Sequence, residues 1–192
     1  MLKKIITVSA VVALVTVSSM AQNHQKGHGN RDNQHQVVES STSTGNTLSE
    51  IQIAGLSYMA EEEKIARDVY LHLAKTTGQR IFSRIAKSEQ KHIDAVLRLL
   101  STYNIDVPST MDEAGIYLNE ELQDLYNRLI AVGDNSLKDA YTVGVIIEEK
   151  DIADLEELLA EDDIPTDIET SYSRLLKGSY NHLRAFNRQL NK

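Results

Sequence analysis

From Thr47 to Lys192 apolar residues recur at helical spacing, and this stretch of about 146 residues contains only two prolines, Pro108 and Pro165. Proline breaks a helix by removing a donor and clashing with the preceding turn, so its near absence permits long uninterrupted helices. A capping box, Thr47 with Glu50, predicts a first helix running to about Thr76, before Gly78. A second is expected from about Gln79 to Tyr103, so close behind the first that the two must be antiparallel neighbours. A third long helix is expected from Asn135 or Ser136 to about Glu161, ending at Asp162-Asp163-Ile164-Pro165. Thr166 with Glu169 forms a second capping box for a fourth, which continues to about Leu190. Some thirty residues separate the second long helix from the third, with a short helix near Asn119 to Val132 ending at Gly133. That is far more than a tight turn needs, and it lets the third long helix run parallel to the second. The expected fold is all-α: a four-helix bundle over residues 47–192, with a long crossover that carries a short extra helix.

The first 46 residues read differently. Lys3 and Lys4 precede an apolar run from Ile5 to Val17, and Ser19-Met20-Ala21 supplies the small residues of a cleavage site before Gln22. Residues 1–21 are therefore expected to be a signal peptide cleaved after Ala21, with an uncleaved N-terminal anchor as the alternative. The mature protein would be periplasmic or secreted from a bacterium, with no membrane span. Residues 22–46 are rich in Asn, Gln, His, Gly, Ser and Thr and lack apolar periodicity, as expected of a disordered linker. Its His24, His28 and His35 form either a loose metal-collecting tail or part of a plain spacer. Losing residues 1–21 removes two lysines and no acids, taking the formal charge from −8 to −10. Nucleic acid and anionic membranes are poor partners for such a chain. There is no cysteine, so disulfides and thiolate metal sites are excluded, and any metal must be held by His, Asp and Glu.

The apolar stripes contain intruders. Met59, Ala66, Tyr70 and Leu73 define the face of the first helix, and Glu62 and Glu63 fall on or beside it. In the second, Ile85, Ile93 and Val96 are interrupted by Glu89 and His92. In the third, Tyr141, Val145, Ile152 and Leu155 surround Glu148, with Glu149 and Asp151 on its shoulders. In the fourth, Tyr172, Leu175, Leu183 and Phe186 are interrupted by Ser179 and His182. A single inward acid or imidazole is commonly a satisfied core residue, and for Glu61 to Glu63 alone a solvated acidic run is the plain reading. Intruders near the middle of all four helices are harder to dismiss, because each buried carboxylate costs several kcal/mol unless neutralised. Glu63, Glu89, Glu148 and Asp151 would bring four negative charges together, on faces that carry no Arg or Lys. Two divalent cations would balance them, and oxygen and imidazole donors suit iron or manganese, with zinc possible. Protonated carboxyls are the alternative.

These residues resemble a known superfamily. Glu63-Lys64-Ile65-Ala66-Arg67-Asp68-Val69-Tyr70 is similar to the first-helix motif of rubrerythrin, Glu89-Gln90-Lys91-His92 matches the Glu-x-x-His of the second helix, and Glu148-x-x-Asp151 looks like the paired acids of the third. The chain thus resembles the ferritin-like di-iron carboxylate proteins. "EEEKIARDVY" and "GSYNHLRAF" look closer still to a bacterial and archaeal branch of that superfamily known as a domain of unknown function. The resemblance implies metal ligands Glu63, Glu89, His92, Glu148, Asp151 and His182, two iron ions, and Tyr70 beside them as a hydrogen-bond or radical partner, plain core packing being the other reading of Tyr70. One position departs: Ser179-Tyr180-Asn181-His182 has serine where the superfamily has its fourth-helix acid. Asp151, or the alternates Glu62 and Glu149, would have to make up the deficit.

Three functions follow as expectations. The first is a redox protein, of peroxidase or ferroxidase type, acting on peroxide, dioxygen or Fe(II). Lacking a rubredoxin-like cysteine pair, it would need an external electron donor, and it could form a homodimer. The second is a metal-binding protein without turnover, and the third a structural bundle whose site has degenerated.

Overall fold

The computed structural model describes residues 48–192, and these form five helices and no strand. The expectations for the signal peptide, the linker with its three histidines, and Thr47 lie outside the described residues. The helices are α1 (Glu50–Thr77), α2 (Arg80–Thr102), α3 (Glu120–Gly133), α4 (Leu137–Leu159) and α5 (Thr166–Leu190). None is long and apolar enough to cross a membrane.

Local chemistry sets the boundaries. The capping box of α1 is formed by Ser49 and Gln52, each side chain bonding the other's backbone N–H, two residues later than Thr47 and Glu50. Helix α1 ends at Gly78, whose φ of 68° lies in the left-handed region that glycine occupies without penalty, and whose N–H donates to the Ala74 carbonyl. Asn119 and Ser136 cap α3 and α4 through their side chains. Thr166 is not a cap: α5 starts directly after Pro165, with no side-chain cap bond.

The α1 and α2 helices pack along one another, as do α4 and α5, while α1 meets α4 and α2 meets α5 more thinly; α3 lies against α1 and α4. Directions follow from cross-helix pairs. Gly55 faces Leu158, the Tyr58 hydroxyl accepts a hydrogen bond from Lys150, and the Tyr70 hydroxyl reaches the Gly144 carbonyl, so α1 and α4 are antiparallel. Phe82 meets Phe186, His92 meets His182, and the Tyr103 hydroxyl bonds Asp167, so α2 and α5 are antiparallel too. The crossover therefore returns the chain with α4 parallel to α2, as its length implies.

Two apolar clusters fill the interior. One gathers Tyr70, Phe82, Tyr141 and Phe186, with Gly144 so close to Phe186 that an added Cβ would sit 2.7 Å from its ring. The other gathers Leu56, Met59, Val96, Leu155 and Tyr172. The polar intruders fall in sequence, on every long helix, between the residues of these two clusters.

Packing on the outer side of α1 overturns part of the sequence reading. Glu61 is not solvated: it is buried and accepts from the backbone N–H groups of Leu118 (2.6 Å) and Asn119 (3.2 Å) and from the Thr110 hydroxyl (3.3 Å). Lys64 is fully buried, its ammonium donating to Asp68 (3.0 Å) and to the carbonyls of Glu113 (2.8 Å) and Ile116 (3.0 Å), over the Tyr117 ring. The crossover covers a charged helix face and satisfies it bond by bond.

Candidate metal centre

Five side chains from the four long helices meet in the polar layer. Glu63 of α1, Glu89 and His92 of α2, Glu148 of α4 and His182 of α5 are each at most 9% exposed. The i, i+3 spacing of Glu89 and His92 places both on one face of α2, one turn apart. His92 Nδ1 lies 2.9 Å from Glu89 Oε2 and 3.2 Å from Glu63 Oε2. His182 Nδ1 lies 2.9 Å from the other Glu89 oxygen, Oε1, and 3.4 Å from Glu148 Oε2. Two three-residue groups result, Glu63–Glu89–His92 and Glu89–Glu148–His182, and Glu89 belongs to both with one oxygen in each. The imidazole rings lie 5.7 Å apart between centroids. Room for His92 comes from Gly178 of α5, where a Cβ would fall 2.7 Å from its Nε2.

Some of these atoms lack hydrogen bonds. Glu63 Oε1, Glu89 Oε1 and His182 Nδ1 are buried with no partner, although the last two are only 2.9 Å from each other. Closeness without alignment is ordinary for two donors along one edge of a coordination polyhedron: with bonds of about 2.1 Å at right angles, neighbouring ligand atoms sit roughly 3 Å apart. Buried polar atoms are otherwise nearly always paired. The donor set, three carboxylates and two imidazoles without sulfur, is one that iron, manganese or zinc accepts.

Without an ion, the two imidazoles and the Glu89 carboxylate favour one another's charged forms. Burial opposes a proton on His92, but Glu63 and Glu89 outweigh it and push the group up to about 11. His182 is pushed up to about 10 by Glu148 and Glu89, again against burial. Burial also opposes the Glu89 charge, yet the two imidazoles hold its carboxyl below the usual range. Glu148 rises to about 7, chiefly through burial and then through Glu89. Glu63 is raised as well, by burial.

The remaining expected residues fall outside these two groups. Tyr70 is buried and its hydroxyl donates to Glu148 Oε1 at 2.6 Å, so it touches a ligand group while also packing on Phe82 and Phe186. Asp151 is buried and held by the hydroxyl of Ser179, which stands where the sequence resemblance leads one to expect an acid; its Oδ1 has no partner. Burial, then Glu63 and Glu62, raise its carboxyl. Glu62 is buried, pairs with Lys150 at 2.7 Å and is pushed up to about 8 by burial. A cation therefore does reach the acidic layer, contrary to the expectation of faces free of Lys and Arg. Lys150 of α4 also donates to Asp154 and to the Tyr58 hydroxyl. Glu149 points to solvent.

Comparison with known proteins places the chain. Residues 52–192 match the family model described as an uncharacterized protein domain, DUF2202. The chain is 49% identical over 144 residues to the uncharacterized protein MJ0754 of Methanocaldococcus jannaschii, covering 75% of this chain and 77% of that one. The crystal structure of hypothetical protein MJ0754 superposes with a TM-score of 0.73, over 75% of this chain and 82% of that one. The match includes every residue of the two carboxylate–histidine groups, and the chain belongs to the DUF2202 family.

Proposed function

We propose that the polar layer is a dinuclear metal centre in a ferritin-like four-helix bundle, and that the protein is an exported non-haem di-iron or iron–manganese redox protein acting on peroxide, dioxygen or Fe(II). The observation that carries this reading is the sharing of Glu89: one buried carboxylate gives one oxygen to each of two groups that both end in a histidine Nδ1. A bridging carboxylate of this kind holds two cations at a fixed separation. Glu63 and His92 would complete one position, Glu148 and His182 the other. The pairing of helices and the parallel run of α2 and α4 support the ferritin-like part of the reading.

Bound redox-active metal would supply electrons and Lewis acidity. The chain's own contributions are specific. Burial between two apolar clusters shields most of the layer from bulk water, with His92 at its edge on the α2/α5 cleft. Tyr70 fixes one oxygen of Glu148 and leaves the other turned toward His182. Ser179 of α5 holds Asp151 of α4 by a hydrogen bond, bringing a carboxyl to the place of the missing acid, and turnover would need an external electron donor.

The test is to load the full chain with Fe(II) under anaerobic conditions and add hydrogen peroxide. A new near-ultraviolet or visible absorption, at a stoichiometry of two irons per chain, is expected. Failure to retain iron, or retention with no spectral response, would leave the non-catalytic or structural reading in its place.

A further inference from the structure

Charge is unevenly divided among the helices. Helix α2 carries five basic residues against Glu89 and Asp94, and α5 carries four against Asp167 and Glu169. Helix α4 has the opposite balance, Lys138 and Lys150 against seven acids. In a chain of net charge −8, the α2/α5 side is thus a basic face. Along it runs a cleft of about 440 Å³, a volume suited to a small molecule. Arg98 and Lys91 of α2 and Arg174 of α5 line it from opposite walls, with the hydroxyl-bearing Thr102 and Ser171 beside them.

The three cations are exposed, and among the described residues no carboxylate lies within 4 Å of any of them. The acid in the wall, Asp167, is engaged elsewhere: it accepts from the Tyr103 hydroxyl (2.7 Å) and the Ile168 N–H (2.9 Å). Guanidinium groups that line one concave space match the planar oxygens of carboxylate and phosphate. A large partner would bury a broad surface, whereas here the cations line a cleft. The floor adds a connection, because His92 lines the same cleft.

We propose that the α2/α5 cleft binds a small polyanion bearing phosphate or carboxylate groups, held between Arg98 and Arg174 and ending beside His92. This site meets the metal centre only at His92, and the cations that define it, Arg98, Lys91 and Arg174, belong to neither carboxylate–histidine group.

The experiment is calorimetric titration of the metal-free full chain with pyrophosphate and with malonate, at low and at physiological salt. Saturable binding of one probe, weakening as salt rises, is expected, and the tighter probe identifies phosphate or carboxylate as the preferred group. Arg98→Gln with Arg174→Gln should weaken it about tenfold per arginine lost. Both side chains are exposed, so the fold should persist, and Lys91→Gln gives a second, milder variant. Binding of neither probe, or equal binding by wild type and the double arginine variant, overturns the proposal. Glu148→Gln separates the two sites: it lies on α4, away from the cleft, and should weaken metal retention without changing pyrophosphate affinity.

Discussion

Glu89→Gln is the most informative single substitution, because the geometry gives it a different consequence from its neighbours. The change is nearly isosteric and confined to a side chain 2% exposed, but it removes charge from both three-residue groups together. Consider thermal unfolding with and without a large excess of Mn(II). An ion present at a hundred times its Kd stabilises the folded state by about 2.7 kcal/mol. For a domain of this length each kcal/mol shifts Tm by about 2–4 °C, so one bound ion is worth about 5–11 °C and two about twice that. Glu63→Gln touches only the His92 group and should keep roughly half the shift. Glu89→Gln should lose nearly all of it. Differential scanning calorimetry measures both, and comparing each variant with and without Mn(II) cancels the substitution's own effect on stability. If Glu89→Gln kept more than half of the wild-type shift, the shared-carboxylate argument would be wrong.

Three further outcomes follow from the packing and the charges. Lys64→Met leaves the buried Asp68 and the carbonyls of Glu113 and Ile116 short of a donor, and should cost about 3–5 kcal/mol in urea unfolding, with faster proteolysis within residues 110–118. Gly144→Ala gains about 1 kcal/mol of helix propensity but drives a methyl against the Phe186 ring, itself wedged between Tyr70 and Phe82; a net loss of about 1–2 kcal/mol is expected by the same measurement. The ion-free protein should lose stability as pH rises from about 6.5 toward 10. His92 and His182 have folded values near 11 and 10, above the unfolded 6.5, so their contribution is complete below 6.5 and disappears as the folded groups deprotonate. Glu148, raised from 4.5 to about 7, adds a loss of the same sign but at lower pH, largely over by 6.5, so denaturant unfolding at pH 6.5 and 9.5 reads the histidines.

The long helices and their inward faces were legible because burial on one side of a helix imposes a period that survives in the sequence. Leu56, Met59, Val69 and Tyr70 on α1, and Phe82, Ile85, Ile93 and Val96 on α2, are buried where periodicity places them. Glu63, Glu89, His92, Glu148, Asp151 and His182 are buried for the same reason. Periodicity could not show what covers the other side of α1. Glu61 and Lys64 sit off the apolar stripe, and a crossover segment with no period of its own supplies their partners. A signal did exist: a long irregular connection must run over some surface, and its backbone N–H and carbonyl groups need partners there. The start of α1 was misplaced because Thr47 with Glu50 and Ser49 with Gln52 offer overlapping cap sequences, and local pattern does not rank them. The reach of Lys150 to Glu62 was invisible for a related reason, since a flexible four-carbon stem lets a residue on the helix edge place its charge in the interior.

The central claim, two cation positions joined by Glu89, is tested most directly by counting. Calorimetric titration of the metal-free full chain with Mn(II) should give two ions per chain for the wild type, falling below one for His92→Ala with His182→Ala. A wild-type stoichiometry of one or none, or two ions retained by the double histidine variant, would contradict it.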